Sequence, residues 1–539
     1  MGIIVSVVSL AAQTSRGTLT GIVTDAQGAA MPGAQVSLRN EETNVRRQTT
    51  ANEAGLYRFD AIDPGQYQIS VEAAGFRTYS KRQIPVGAAQ TVSNDVQLEV
   101  GETQQTVEVV AQTESALQYE APVRGGNMGS REIVNLPLPN RRPSQLAFTI
   151  PGVVSNRFSS NGSLTGFSVN GARQRSNNFM IDGTENNDIS VSGEGLTISN
   201  PDVVAEVNIQ TTNYDAEFGR AGGAVVNIIT KSGTNQYHGT LNYVLDSTYD
   251  DALTNSQSLD PELQARGRPA FGIEQFWGGT FGGPIRKDRT FFFGSFQEDR
   301  LRSNSTRVLN TLSAQGRATL NSLFPKGTNP NVDLYNALTA GVDATSRFST
   351  LEMGNGRPAI EVGTAVQGLS TSTIDRQYLG RLDHKLSDSD QLSGRFIYQT
   401  IDIPNGALFN VFPGFEADSK TKNVSVSLTE THIFSPTLTN ELRLNYMRLN
   451  PLFPVSNPDN ELVRTAPQIA ITGLTNVGLD NRFPQGRYGN NYQLQDTATF
   501  VHGKHSIRFG GDILHQRSKQ FAPIAARGAL DIRASTGFS

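Results

Sequence analysis

Few residues of this chain are of types and at spacings that could do chemistry. Among its 539 residues there is no cysteine and there are only six histidines, so thiolate catalysis, disulfides and cysteine-ligated zinc are excluded. His502 and His505 flank Gly503-Lys504, a spacing that suits a hairpin turn better than a metal centre. The acidic run Asp182 to Asp188 (DGTENND) could attract calcium, but its carboxylates lack EF-hand spacing and a turn accounts for it better. No HExxH, Walker loop or GxSxG occurs. No catalytic residue, metal or cofactor is therefore expected, and the chain reads as a non-enzyme.

What remains is backbone and ion-pair chemistry. Thr106-Val107-Glu108-Val109-Val110-Ala111 is a β-branched, extended stretch in polar surroundings. Its free N–H and C=O groups could add as a strand to a partner's sheet edge. The alternatives are a linker, or a last strand closing the domain before it. Glu217, Arg220 and Lys231, with Arg141 and Arg142 earlier, are charges set among glycines and prolines. Buried, they could tie one part of the chain to another by pairs that break at a cost of a few kcal/mol. For Arg141 and Arg142, solvated surface charge is an equal reading.

The elements that must position these residues are legible from period. Glu217 to Tyr243 begins with an unbroken apolar stretch, Ala224 to Ile229, as expected of a short strand buried on both faces. After the polar turn Lys231–Asn235 the pattern becomes strict alternation, with Leu241, Tyr243 and Leu245 on one face and His238, Thr240 and Asn242 on the other. A plug is expected to end here, and a strand with one face in an apolar solvent to begin. Further alternating strands follow around Phe276, Thr290, Tyr378, Leu392, Val424, Leu442, Phe500 and His505. Tight turns take turns with long polar stretches such as Arg302 to Thr373, the rhythm of short periplasmic turns and long outer loops. The mean hydropathy of −0.35 fits such strands, because each averages lipid-facing and lumen-facing residues.

Net charge is −4 with a pI near 6, so no polycation is available for nucleic acid. The apolar run Ile3 to Leu10 before small residues reads as an export signal whose basic front is missing. Residues 17–101 alternate short strand-like runs with turns, including Asp25–Gly28 and Asp63-Pro64-Gly65, at the spacing of a small β-sandwich. A short helix is expected between Pro143 and Thr149. Asn170-Gly171 and Asp182-Gly183 read as tight strand turns.

Gly21 to Leu38 and Ala54 to Phe76 (AGLYRFDAIDPGQYQISVEAAGF) resemble the carboxypeptidase regulatory-like domain, which implies a seven-stranded sandwich without catalytic residues. The motifs LPL, PGV, NGxR, IDG, EFG, GGxVNxxTKSG, HG, GGPI and FFFxSF follow in one order. They resemble TonB-dependent outer-membrane receptors of the Oar-like type over Gly17 to about Arg300. The resemblance implies a mostly β protein laid out in five parts: a signal-like segment (1–16), the sandwich (17–101), a linker (102–123), an α/β plug domain (124–235) and part of a transmembrane antiparallel β-barrel (236–539). It makes Thr106–Ala111 a candidate TonB box and Glu217, Arg220 and Lys231 candidate plug–barrel contacts. Its implied partners are the TonB complex of the inner membrane, outer-membrane lipid and an extracellular solute, a carbohydrate among the classes open. A surface adhesive protein anchored by its barrel is the alternative. Nine or ten wall strands are countable where such barrels need about twenty-two, so a fragment of a longer polypeptide is expected.

Overall fold

The structure, a computed structural model, describes residues 16–101, 106–110, 124–136, 141–155, 166–188, 190, 193–214, 218–219, 221–249, 251–255, 257–259, 261–353, 356–406 and 411–532. The signal-like segment up to residue 15, Ala111, Glu217 and Arg220 lie outside the described residues.

Two sheets make the N-terminal sandwich. One holds Leu56–Ile62, Gly17–Thr24 and then Thr91–Ser93 with Val96–Gln97, both of which run parallel to Gly17–Thr24. The other runs Arg46–Thr50, Gln35–Asn40, Gly65–Glu72, Thr78–Val86 and Thr106–Val110. Counting Thr91–Gln97 as one strand interrupted at Asn94-Asp95 gives seven strands, with Thr106–Val110 as an eighth. Period-two alternation puts Leu19, Val23, Val36, Leu38, Tyr57, Phe59, Ile69 and Val71 between the sheets.

The plug is a five-stranded mixed sheet of β1 (Arg124–Gly129), β2 (Asn178–Ile181), β3 (Thr184–Glu185), β4 (Val204–Thr212) and β5 (Val225–Thr230), in the order β1-β4-β5-β2-β3. The unbroken apolar run occupies β5, every residue of which is buried. It lies antiparallel to β4 and parallel to β2. Both predicted Gly turns take positive φ at two consecutive residues, 50° and 79° at Asn170-Gly171, 49° and 74° at Asp182-Gly183. That is the geometry of the primed hairpin turns. Pro143–Thr149 is a 3₁₀ helix, its proline at the first position where no N–H is needed.

The wall is antiparallel and contains β6 (His238–Ser247), β7 (Gly272–Arg286), β8 (Thr290–Leu312), β9 (Ile360–Lys385), β10 (Asp390–Ile403), β11 (Ser419–Ser435), β12 (Leu438–Leu449), β13 (Gln485–His502) and β14 (His505–Phe521), hydrogen-bonded in chain order. Leu382, Phe396, Val426, Leu428, Leu444 and Leu494 point outward and are exposed. Their neighbours Gln377, Arg395, Ser425, Arg443 and Gln495 point inward and are buried. Such alternation is what lipid on one side and a polar lumen on the other impose.

The stretch Arg302 to Thr373, expected as loop, is not all loop. The β8–β9 ladder continues without a break to Leu312 opposite Val362. Beyond the lipid boundary nothing enforces apolar/polar alternation, so the ladder persists while its sequence signal fades. The long connections all leave from that end, and they pack a hydrophobic layer of their own. Leu320, Tyr335, Leu338, Phe412, Phe415, Val463, Leu479 and Phe483 are buried there, beside an Arg307–Glu416 ion pair at 2.9 Å.

Candidate functional site, a charged latch between plug and wall

Asp182 stands at the tip of the β2–β3 hairpin, where the turn backbone presents its carboxylate to the wall. Oδ1 accepts the backbone N–H of Thr230 at 2.8 Å, and Oδ2 accepts the Thr230 hydroxyl at 2.8 Å. Arg395 of β10 donates Nη1 to Oδ2 at 2.7 Å, and Arg381 of β9 places Nη1 3.8 Å from Oδ1. Both arginines are tied down in turn. Arg381 bonds Asp383 and the Thr230 carbonyl, the latter at 2.9 Å. Arg395 reaches the hydroxyls of Thr184 and Ser425 at 3.2 and 3.3 Å. Burial pushes the Asp182 carboxyl up, but Arg395, Arg381 and the Thr230 bonds together hold it below the ordinary carboxylate range.

Elsewhere on the seam Arg487 of β13 pairs with Asp188 of the plug, and the other contacts are mostly neutral. Wall amides reach plug carbonyls, Gln297 to Ser199 at 2.9 Å and Gln377 to Thr197 at 2.8 Å, while Gln493 accepts the N–H of Glu185 at 2.9 Å. Asn242 donates to Asp202 at 2.7 Å. Phe293, Leu379 and Ile397 of the wall complete the plug's apolar core.

Of the predicted charges, Lys231 lies beside this latch. Its backbone N–H donates to Val203, and burial lowers its ammonium below the ordinary lysine value against the pull of Asp202. Arg141 stacks its guanidinium 5.7 Å above the Phe276 ring on the lumen side of β7. Arg142 acts on buried Glu194, whose carboxyl is raised to about 7 by burial, with Ser144 and Arg142 opposing. Asp182, Arg381 and Arg395 were not anticipated as site residues. Asp182-Gly183 signals a turn in the sequence, and the arginine partners of Asp182 lie about two hundred residues away, where no local pattern connects them.

The sandwich sits against the tight-turn end of the wall. Buried Arg16 joins Asp63 of the sandwich at 3.3 Å and Glu441 of β12 at 3.2 Å. Asn235 donates to the Thr43 carbonyl at 2.7 Å, and Asn52 to that of Gly503 at 2.8 Å. Glu206 of β4 accepts the Ala88 N–H at 2.9 and 3.1 Å. Between sandwich, plug and wall lies a cavity of about 920 Å³ lined in part by Arg16, Asp182, Glu206, Lys231, Arg381 and Arg443.

Within the candidate box, Thr106–Val110 pairs in parallel with Thr78–Val86, Thr106 opposite Thr78 and Val110 opposite Arg82. It takes the outer position of its sheet, so among the described residues one of its edges is paired and the other is open. His502 and His505 are an exposed pair across their turn. A grouping not read from sequence, Asp390, Glu430 and His432, lies on the outer face with ligand atoms within 4.8 Å of one another. There Asp390 already bonds His432 and Ser387.

Comparison with known proteins fits this geometry. The outer membrane beta barrel domain model matches residues 229–538, and the carboxypeptidase regulatory-like domain model matches 18–99. The TonB-dependent transporter Oar of Myxococcus xanthus is 29% identical over 319 residues, covering 56% of this chain and 28% of its own length. The outer membrane transporter YddB from Escherichia coli shares the fold with TM-score 0.52 at 14% identity, over 78% of this chain and 52% of that one. The chain thus spans about half of that solved structure and aligns with little more than a quarter of Oar. With the barrel model matched over more than half of its length and a regulatory-like sandwich in front, this chain belongs to the outer membrane β-barrel family, is similar to the TonB-dependent transporter Oar, and is located in the outer membrane.

Proposed function

We propose that the chain is the sandwich, plug and first wall of a receptor that binds an extracellular solute and imports it with energy relayed by the inner-membrane TonB complex. The Asp182 latch is the observation that carries this reading. The plug has its own core, yet its charged tip is held to the wall by a compact set of polar bonds that mechanical work could break and thermal motion would re-form. Buried pairs of this kind cost about 3–5 kcal/mol to break by losing one partner, a scale suited to a pulled gate. Thr106–Ala111 is the segment through which we propose the pull is delivered, by strand addition to a partner sheet at the periplasmic end. Lys231, together with Glu217 and Arg220, is proposed to contribute to plug–wall contacts.

Deleting Thr106–Ala111 in the full-length receptor is expected to abolish energy-dependent uptake while leaving surface binding of the solute intact. Unimpaired uptake would sink the assignment of this segment. The buried apolar layer built by the long connections favours a second reading, a surface-binding protein anchored by its barrel. Solute binding without any energised uptake, in the receptor with its box intact, would favour that one.

A further inference from the structure

The sandwich is fastened to the rest of the chain differently from the plug. Wall residues Phe293, Leu379 and Ile397 belong to the plug's apolar core, and no sandwich residue does. The sandwich buries its apolar side chains in a separate core drawn from Leu19 to Leu98. Among the described residues, Ala89 alone carries it into an apolar cluster of the plug, beside Met180 and Val225.

The remaining attachments are polar. Buried Arg16 holds Asp63 of the sandwich and Glu441 of β12 on the same Nε, and donates from Nη1 to Thr431 of β11. Asn235 donates its backbone N–H to the Glu42 carbonyl at 3.0 Å and its side chain to that of Thr43. Lys385 reaches the Arg46 carbonyl at 3.4 Å. A polar seam between separately folded cores is the kind that parts and closes again, whereas opening a shared apolar core exposes it to water.

The cavity of about 920 Å³ lies on this seam. Asp182 and Thr230 of the plug and Arg395 and Ser427 of the wall line it on one side, and Glu42 and Pro64 of the sandwich line it from the tight-turn end. Its volume is enough for a small solute. Its lining mixes charges of both signs with hydroxyls, which suits hydrated passage better than capture of an apolar molecule.

We propose that the sandwich is a second gate: docked, it closes the periplasmic end of the chamber beneath the plug, and it leaves the wall when the receptor is driven. Thr106–Val110 lies beside Thr78–Val86 as part of the sandwich sheet, so tension on that strand reaches the sandwich as well as the plug. The opening step rests on the role proposed for Thr106–Ala111; closure by the docked sandwich does not.

The test uses the full-length receptor in outer membranes, with Ser232→Cys, a chamber-lining position, labelled by a maleimide confined to the periplasm. Adding Arg16→Glu sets a like charge against Glu441 and Asp63. It is expected to raise the labelling rate roughly tenfold or more, because reversing one partner of a buried pair leaves the others unmatched. Arg16→Lys, which keeps the charge, is expected to label nearly as the Ser232→Cys parent does. If Arg16→Glu does not assemble, Asn52→Ala/Glu206→Ala carries the test with a smaller rise. In a second arm, Thr43→Cys/Asn235→Cys is oxidised to bolt the sandwich in place. The oxidised receptor is expected to bind solute at the surface but to lose energised uptake, which reduction restores. Labelling that is equal in Arg16→Glu and its parent, or full uptake by the oxidised pair, would overturn the proposal. An unaltered receptor that imports no solute would refute the transport reading alone, and the labelling arm would still decide the closure.

Discussion

Asp182 matters because of what its removal would strand. The Arg395 side chain is only 3% exposed, and without the carboxylate its charge stays buried and unmatched. Asp182→Asn should therefore lower the free energy of opening the plug tip by about 3–5 kcal/mol, read as faster amide exchange at Thr230. Adding Arg395→Gln should cost far less than it does alone, because the charge it removes is already unpaired; additive losses would mean that the two side chains are independent. Glu206 behaves oppositely with pH. Burial raises its carboxyl to about 7 from an ordinary 4.5, with the Ala88 N–H bonds opposing. The docked state thus binds the proton more tightly than the undocked one. Docking of the sandwich on β4 should be strongest below about pH 4.5 and weaken as pH rises through 7, measured as protection of the Ala88 amide across that window. Neither role was legible in the sequence. Asp-Gly announced the turn correctly, but a turn's backbone says nothing about which distant guanidinium its side chain will meet.

At the scale of elements, the apolar solvent makes the wall readable. Leu428 points outward from β11 and is 42% exposed, whereas Ser427 beside it is buried toward the lumen. Leu428→Arg should cost about 2–4 kcal/mol of membrane stability if it lies near the bilayer midplane, seen as a lower unfolding midpoint in lipid vesicles; an unchanged midpoint would place this face away from lipid. The period switch at Lys231–Asn235 was visible for the same reason, because β5 is enclosed by protein on both faces and β6 meets lipid on one. The outer halves of β8 and β9 escaped notice, since outside the bilayer their ladder makes no demand on side-chain polarity. Thr106–Val110 was legible as a strand. Its pairing with Thr78–Val86 rests on backbone groups that every sequence shares.

At the scale of the whole molecule, sandwich, plug and wall meet at the tight-turn end. Much of that contact uses backbone carbonyls of Thr43, Arg46 and Gly503. Such contacts leave no trace in side-chain pattern, so the sequence implied the parts and their order but not their docking. In the proposed cycle, force delivered through Thr106–Ala111 releases a plug held by the Asp182 latch. Because the chain has no cysteine, a single Thr184→Cys in the full-length receptor would report on the latch through labelling by a maleimide confined to the periplasm. Labelling should rise when the inner membrane is energised with solute bound, and deleting Thr106–Ala111 should remove this rise. Labelling that is the same in energised and de-energised cells, or that rises equally in the deletion, would contradict this cycle.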